Sequence, residues 1–247
     1  MVQAIVFDLF DTLVDLHMER IQRVEVAGLW VGGTSRALFE ALRDHDEALD
    51  FEHFARTLHR VDAEFRQSRY AKGLELPTLE RFETLLGRLA LEVPGLAQVL
   101  TDVHMAGLRA QVRLVDHHGP LLARLRKRAR LALCSNFSHS ATAISILEEA
   151  GLREHLDVVV VSDEIGIRKP RPEIFHATLE ALGVGPEEAL HVGDNLSADV
   201  GGAAALGIRT AWITRRISEP EELLARHDGP SPDHRIADLA ELEMLLD

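Results

Sequence analysis

The sequence predicts an α/β fold, a parallel sheet with helices on both faces, interrupted near its start by an inserted all-helical domain. Three observations carry this expectation. After Asp116, short apolar runs alternate with helical segments. Three of those helical segments stop at glycines, Gly151, Gly183 and Gly207, the residue that accepts the left-handed conformation at a helix end. Between about Leu16 and Arg113 no strand-like run occurs, and apolar residues recur at three- and four-residue steps instead.

The first strand is Ala4–Phe7, wholly apolar up to Asp8. In the insert, Phe51, Phe54, Leu58, Val61 and Phe65 form one helical stripe, and Leu79, Phe82, Leu85, Leu86 and Leu89 form another. Breaks at Gly32-Gly33, at Gly73 with Pro77 and at Pro94-Gly95 divide the insert into four or five helices. Beyond it, helix Pro120–Lys127 leads to strand Arg130–Cys134, and helix Ser140–Ala150 to strand Val158–Val161. Helix Pro172–Leu182 then leads to strand Ala189–Val192, helix Ala198–Leu206 to strand Thr210–Ile213, and the chain ends with helix Leu239–Leu246. Short apolar strands between helices indicate a parallel sheet buried on both faces. The expected division is residues 1–15 and 114–247 for the sheet domain and 16–113 for the helical insert.

The chain has 247 residues, 46% apolar and 27% charged, enough apolar surface for a core. A formal net charge of −13 argues against nucleic acid as a partner, which needs clustered Lys and Arg. It leaves room for small anions in a cleft whose local field opposes the net charge. The single cysteine, Cys134, lies in an apolar run and reads as a core thiol. One cysteine allows no internal disulfide and fits a reducing compartment. The N-terminus lacks the basic start and cleavage site of a signal peptide, and no run approaches the ~18 apolar residues of a membrane span. The expectation is a cytoplasmic protein with no membrane partner, monomeric or homodimeric.

In open parallel sheets, ligands bind at the carboxyl ends of strands. Asp8, Ser135, Asp163 and Asp194 each fall at or just past such an end. Each alone has a structural explanation, since Asp caps helices, Ser starts turns and Gly-Asp makes bends. With Asn136, Lys169 and Asp199 they describe one cleft holding a carboxylate nucleophile, a hydroxyl and amide pair, a lysine and further carboxylates.

These segments resemble the haloacid dehalogenase-like hydrolase superfamily. Its first motif, Asp-x-Asp-x-Thr, is matched by Asp8-Leu9-Phe10-Asp11-Thr12 except at the third place. Its second, a Ser or Thr after an apolar strand, is matched by Ser135, and its third, a Lys often followed by Pro, by Lys169-Pro170. Its fourth, Gly-Asp with another Asp five residues on, is matched by Gly193, Asp194 and Asp199. The helical insert falls where this family carries a small helical cap, and its length resembles the four-helix type. The resemblance implies a Rossmann-like core with a cap that sets selectivity.

It also implies roles. Asp8 resembles the nucleophile that forms a covalent aspartyl intermediate, and as a carboxylate it needs no base to activate it. Ser135, Asn136 and nearby backbone NH groups resemble the binding site for substrate oxygens, ahead of a helix whose N-terminus favours an anion. Lys169 resembles the cation that holds nucleophile and substrate anion together. Asp8, Asp194 and the backbone carbonyl of Phe10 resemble the ligands of Mg²⁺. Asp199 resembles a residue orienting Lys169 or a metal-bound water, and Thr12 a positioning residue of the first loop.

Phe10 divides the evidence. Phosphatases of the superfamily carry an acid–base Asp there, typically worth ~10²–10⁴-fold in rate. Its 2-haloacid dehalogenases carry an aromatic residue, because halide leaves without a proton. Those dehalogenases usually replace Asp194 by Ser, and this chain does not. Asp11 is a candidate substitute acid, one residue late, with a loop carboxylate as the alternative. Arg20, Arg23, Arg36, Arg66 and Arg69 read as solvated helix faces, the His117-His118 pair as a surface loop, and Trp30 and the insert's Phe residues as helical core. Asp163 reads either as a metal-adjacent group or as a cap.

The leading expectation is a Mg²⁺-dependent phosphatase acting on a small phosphorylated metabolite through an aspartyl-phosphate. A 2-haloacid dehalogenase working through an aspartyl ester is the second reading. A weakly active or non-catalytic binder of a phosphorylated ligand is the third.

Overall fold

The computed structural model describes residues 2–20, 24–26 and 28–246. The chain divides into two compact units, Met1–Leu16 with Arg113–Asp247 and His17–Val112.

The first unit is built on a six-stranded sheet: β1 (Ala4–Phe7), β2 (Arg130–Ser135), β3 (Val158–Val161), β4 (Ala189–Gly193), β5 (Arg209–Ile213) and β6 (His234–Ile236). The strand order is β6-β5-β4-β1-β2-β3, and each of the pairings is parallel. All four residues of β1 and all five of β4 are buried, as expected of strands covered on both faces. Helix Pro172–Leu182 covers one face, packing Ile174, Phe175 and Leu179 against Val6, Ala132 and Cys134. Cys134 is a free core thiol, and burial pushes its pKa up to about 11. Gly151 and Gly183 follow their helices with φ of 64° and 65°, the left-handed stop their positions required.

The sheet unit departs from expectation in four places. Strand β6 went unforeseen, because only one of its three residues is apolar; Ile236 is buried while its carbonyl accepts from Thr214 N at 2.8 Å. The expected helix Ala198–Leu206 is instead a widened turn, Leu196–Gly201, followed by the short helix Gly202–Ala204. Asn195 starts that turn early by accepting from Ser197 N and Ala198 N. The helix expected over Pro120–Lys127 begins at His118, and His118 is 1% exposed rather than part of a surface loop. Its Nδ1 is anchored 2.8 Å from the Leu13 carbonyl. The C-terminal helix is shorter than expected, a 3₁₀ turn over Leu239–Glu241 and an α-helical turn over Leu242–Leu245.

The second unit packs helices Ser35–Arg43, Phe51–Ser68, Thr78–Arg88 and Leu96–Arg109 around Leu38, Phe54, Phe82, Leu85 and Leu100. Asp50 caps the longest helix by accepting from His53 N at 2.9 Å. Arg81 forks onto Asp62 at 2.7 and 2.8 Å, tying the second helix to the third. This unit is not all-helical. A two-stranded antiparallel ribbon, Val24–Val26 with Leu29–Val31, turns through Gly28 at φ 78°. Its strands are three residues each, too short for a periodic signal. Trp30 sits on this ribbon and is 63% exposed, not core. Arg20, Arg36 and Arg66 are exposed and Arg69 pairs with Glu80, while Arg23 lies outside the described residues. Among the described residues no helix is long and apolar enough to cross a membrane.

Candidate active site

Three strands deliver the polar residues to one end of the sheet. Phe7 is in register with Leu133 on one side and Val192 on the other, so Asp8 leaves β1 level with Cys134 and Gly193. Strand order reverses around β1, which opens the crevice where open α/β sheets bind ligands. Lys169 arrives from the loop before helix Pro172–Leu182. Asn136 holds that loop in both directions, Nδ2 donating to the Lys169 carbonyl at 2.9 Å and Oδ1 accepting from Lys169 N at 2.7 Å.

Lys169 is the hub. Its Nζ donates to Asp8 Oδ1 at 2.7 Å, to Asp199 Oδ1 at 2.6 Å and to the Cys134 carbonyl at 2.7 Å, which uses all three ammonium protons. Burial alone would strip its charge, but Asp199 and Asp8 outweigh burial and raise its pKa. Asp199 is fully committed: Oδ1 also meets His191 Nε2 at 3.0 Å, and Oδ2 accepts from Asn195 N at 3.0 Å. Burial raises the Asp199 pKa, and Lys169 with His191 reverses that to a net lowering. The widened turn at Leu196–Gly201 is what brings Asp199 back over the Asn195 amide. Gly193 is required beneath it, since a Cβ there would fall on the Asp199 carboxyl.

Asp8 and Asp194 are less satisfied. Asp8 Oδ2 has no hydrogen-bond partner among the described residues, and burial raises the Asp8 pKa despite Lys169. Burial, followed by repulsion from Asp8, Asp199 and Asp11, pushes Asp194 up to about 8. One carboxylate oxygen from each of Asp8, Asp194 and Asp199 lies within 4.8 Å of the others. Three carboxylates against one ammonium leave an excess of two negative charges, the deficit a divalent cation would fill.

Ser135 Oγ and Thr12 Oγ1 are buried without hydrogen-bond partners. Ser135 thus keeps its hydroxyl for an incoming oxygen, whereas the Asn136 side chain is spent on Lys169. The Phe10 ring stands edge-on to Phe137 with centroids 5.0 Å apart, an apolar contact where an acid would otherwise stand. Asp11 has φ 55°, and its Oδ1 accepts from Leu16 N at 3.0 Å and Arg216 Nε at 3.1 Å, which makes it an anchor of the loop. Asp163 reaches back to the start of helix Ser140–Glu149, accepting from Ser140 N at 2.8 Å, so the anion at that N-terminus is the protein's own.

Sequence reasoning assigned no role to His191, Trp212, Arg215 or Arg216. His191 braces Asp199 from inside β4, and its only sequence signal was a histidine in an apolar strand. Trp212 Nε1 donates to the Asp194 carbonyl at 2.8 Å from β5. Arg216 holds Asp11, and Arg215 forks onto Asp15, so the loop after β1 is clamped by the loop after β5. Separately, the helical unit holds a cavity of about 320 Å³ whose lining includes His59, Asp62, Arg66, Arg81 and His104.

A family model for haloacid dehalogenase-like hydrolases matches residues 2–207. The phosphoserine phosphatase of Thermus thermophilus is 46% identical over 93 residues, 38% of this chain and 35% of that protein. The pyrimidine 5′-nucleotidase YjjG of Escherichia coli is 34% identical over 67% of this chain and 69% of that protein. The solved structure of a 2-haloacid dehalogenase from Pseudomonas syringae shares the fold, with a TM-score of 0.66 and 24% identity over 100% of this chain and 98% of that one. With the four motif positions gathered around Lys169 and the family matched along most of its length, this chain belongs to the haloacid dehalogenase-like hydrolases.

Proposed function

We propose that this hydrolase is a phosphatase for a small phosphorylated metabolite, with Asp8 as nucleophile and Mg²⁺ as cofactor. The observation that carries the reading is the three-carboxylate cluster of Asp8, Asp194 and Asp199 around a single lysine. A metal-free dehalogenase has no use for an Asp194 carboxylate gathered beside Asp8 and Asp199, where three carboxylates meet one ammonium. Relatives named phosphoserine phosphatase and pyrimidine 5′-nucleotidase support the same substrate class.

Asp8, Asp194 and the Phe10 carbonyl would hold Mg²⁺, which when bound neutralises phosphate charge and keeps Asp8 ionised. Asp199 would orient Lys169 rather than ligate, because both its oxygens already accept hydrogen bonds. The Lys169 ammonium fixes Asp8 Oδ1 and leaves Oδ2 free to attack phosphorus in line with the leaving oxygen. Ser135 Oγ offers a hydrogen bond to a non-bridging phosphate oxygen. Water then hydrolyses the aspartyl-phosphate and regenerates Asp8.

Phe10 places no acid beside the leaving oxygen, and Asp11 is held by Arg216. The substrates that fit are those whose leaving group departs without a proton, such as acyl phosphates or activated aryl phosphates. The same Phe10–Phe137 contact favours the second reading, displacement of halide from a 2-haloacid. Product release from purified protein, with Mg²⁺ and with EDTA, tests both on phosphate esters, acyl phosphates and 2-chloropropionate. Phosphate release abolished by EDTA is the expected result. Metal-independent chloride release would replace this reading with the dehalogenase, and ligand binding without turnover would replace both with a binding role.

A further inference from the structure

The sheet unit gathers a second set of ligating atoms away from the carboxylate cluster. One atom from each of His117, His118 and Asp238 lies within 4.8 Å of the other two. Helix His118–Leu125 supplies the histidines at its start, and Asp238 caps the C-terminal turn Leu239–Glu241. His118 is 1% exposed, and its Nδ1 lies 2.8 Å from the Leu13 carbonyl. A carbonyl only accepts, so Nδ1 carries the proton and Nε2 carries the lone pair. That Nε2 is buried and has no hydrogen-bond partner. A buried nitrogen left without a partner is unfavourable and calls for a reason. An imidazole anchored through one N–H on a main-chain carbonyl, with the other nitrogen bare, is how metal-ligating histidines are held. His117 is half exposed, with Nε2 2.9 and 3.1 Å from the two Asp238 oxygens. The nearby Arg215 opposes a cation, but its charge is paired with Asp15.

We propose that His117, His118 and Asp238 form a second metal site, for a zinc-class divalent cation. Two imidazoles and one carboxylate, with a water completing the tetrahedron, suit Zn²⁺. Mg²⁺ prefers an all-oxygen set such as the Asp8 cluster, so the two sites select different ions. Through the His118 bond to Leu13, the ion would staple the C-terminal segment to the loop that carries Asp8.

The test titrates untagged, chelator-stripped, full-length protein with ZnCl₂ by calorimetry in saturating Mg²⁺, and records thermal unfolding with and without Zn²⁺. Saturable binding of a single Zn²⁺ and a raised Tm are expected. His117→Ala changes a half-exposed side chain, and Asp238→Asn keeps the capping oxygen, so both variants should fold. Each should weaken Zn²⁺ binding by at least about tenfold and remove the Tm rise. No saturable Zn²⁺ binding by the wild type, or unchanged affinity in both variants, would overturn the proposal.

Discussion

Replacing Lys169 by Met keeps the stem and removes the charge. The side chain is 1% exposed and donates to two carboxylates and a carbonyl. Breaking a buried ion pair by deleting one partner costs about 3–5 kcal/mol, because the other charge stays behind unpaired. Here Asp8 and Asp199 are both left behind, so the cost at pH 7 belongs at the upper end of that range. The pH dependence gives an independent check. In the wild type the raised Lys169 pKa contributes stability that is fully present below its unfolded value of ~10.4. The lowered Asp199 pKa contributes stability present above its unfolded value of ~3.9. Both contributions are therefore constant between pH 7 and 5. In the variant, Asp8 and Asp199 titrate above their unfolded values, which destabilises the fold at pH 7. Proton uptake relieves that penalty as the pH falls. The gap between the two proteins should narrow at pH 5. Trp212, buried and bonded to the Asp194 carbonyl, reports the sheet unit by fluorescence in a Trp30→Phe background. Urea unfolding at both pH values measures the gap. A loss below ~1 kcal/mol at pH 7, or a gap that does not change with pH, would refute the account of Lys169 as the cation that neutralises two buried carboxylates.

Three further predictions follow from the same geometry. Asp8→Asn is expected to abolish product release while leaving the fold intact by circular dichroism, and retention of more than about a tenth of the activity would exclude an aspartyl intermediate. Phe10→Asp should speed phosphate release from esters with poor leaving groups, by up to ~10²-fold, and leave acyl phosphates unaffected; a uniform change across leaving groups would show that the missing acid does not limit the rate. His104, edge-on to Phe82 with Nδ1 2.8 Å from Thr34 Oγ1, is pushed down to about 3 by burial and then by Arg81. A histidine titrating below its unfolded ~6.5 makes the fold lose stability as pH falls from 6.5 toward 3, by at most ~1.4 kcal/mol per unit. His104→Gln should flatten that slope in acid unfolding of the helical unit, and an unchanged slope would assign it to other groups.

Five strands, their alternation with helices and the ends at which polar residues emerge were legible in the sequence alone. Period and glycine placement are local signals, and buried parallel strands write them as uninterrupted apolar runs. The sequence also named the residues that meet at Lys169, because four separated motifs point to one end of one sheet. It could not show β6 or the ribbon at Val24–Val31, whose three-residue strands carry no period and exist through their pairing. Nor could it settle Asp11, since only the fold brings Arg216 across from β5 to hold it. His191 reads as one more strand residue until Asp199 is seen to fold back onto it. His118 reads as surface until the Leu13 carbonyl claims its Nδ1 and Asp238 arrives from the far end of the chain. What the sequence left open are polar partnerships over long separations. A side chain's role is set by which donor or acceptor reaches it in the burial that folding creates, and no local pattern encodes that encounter.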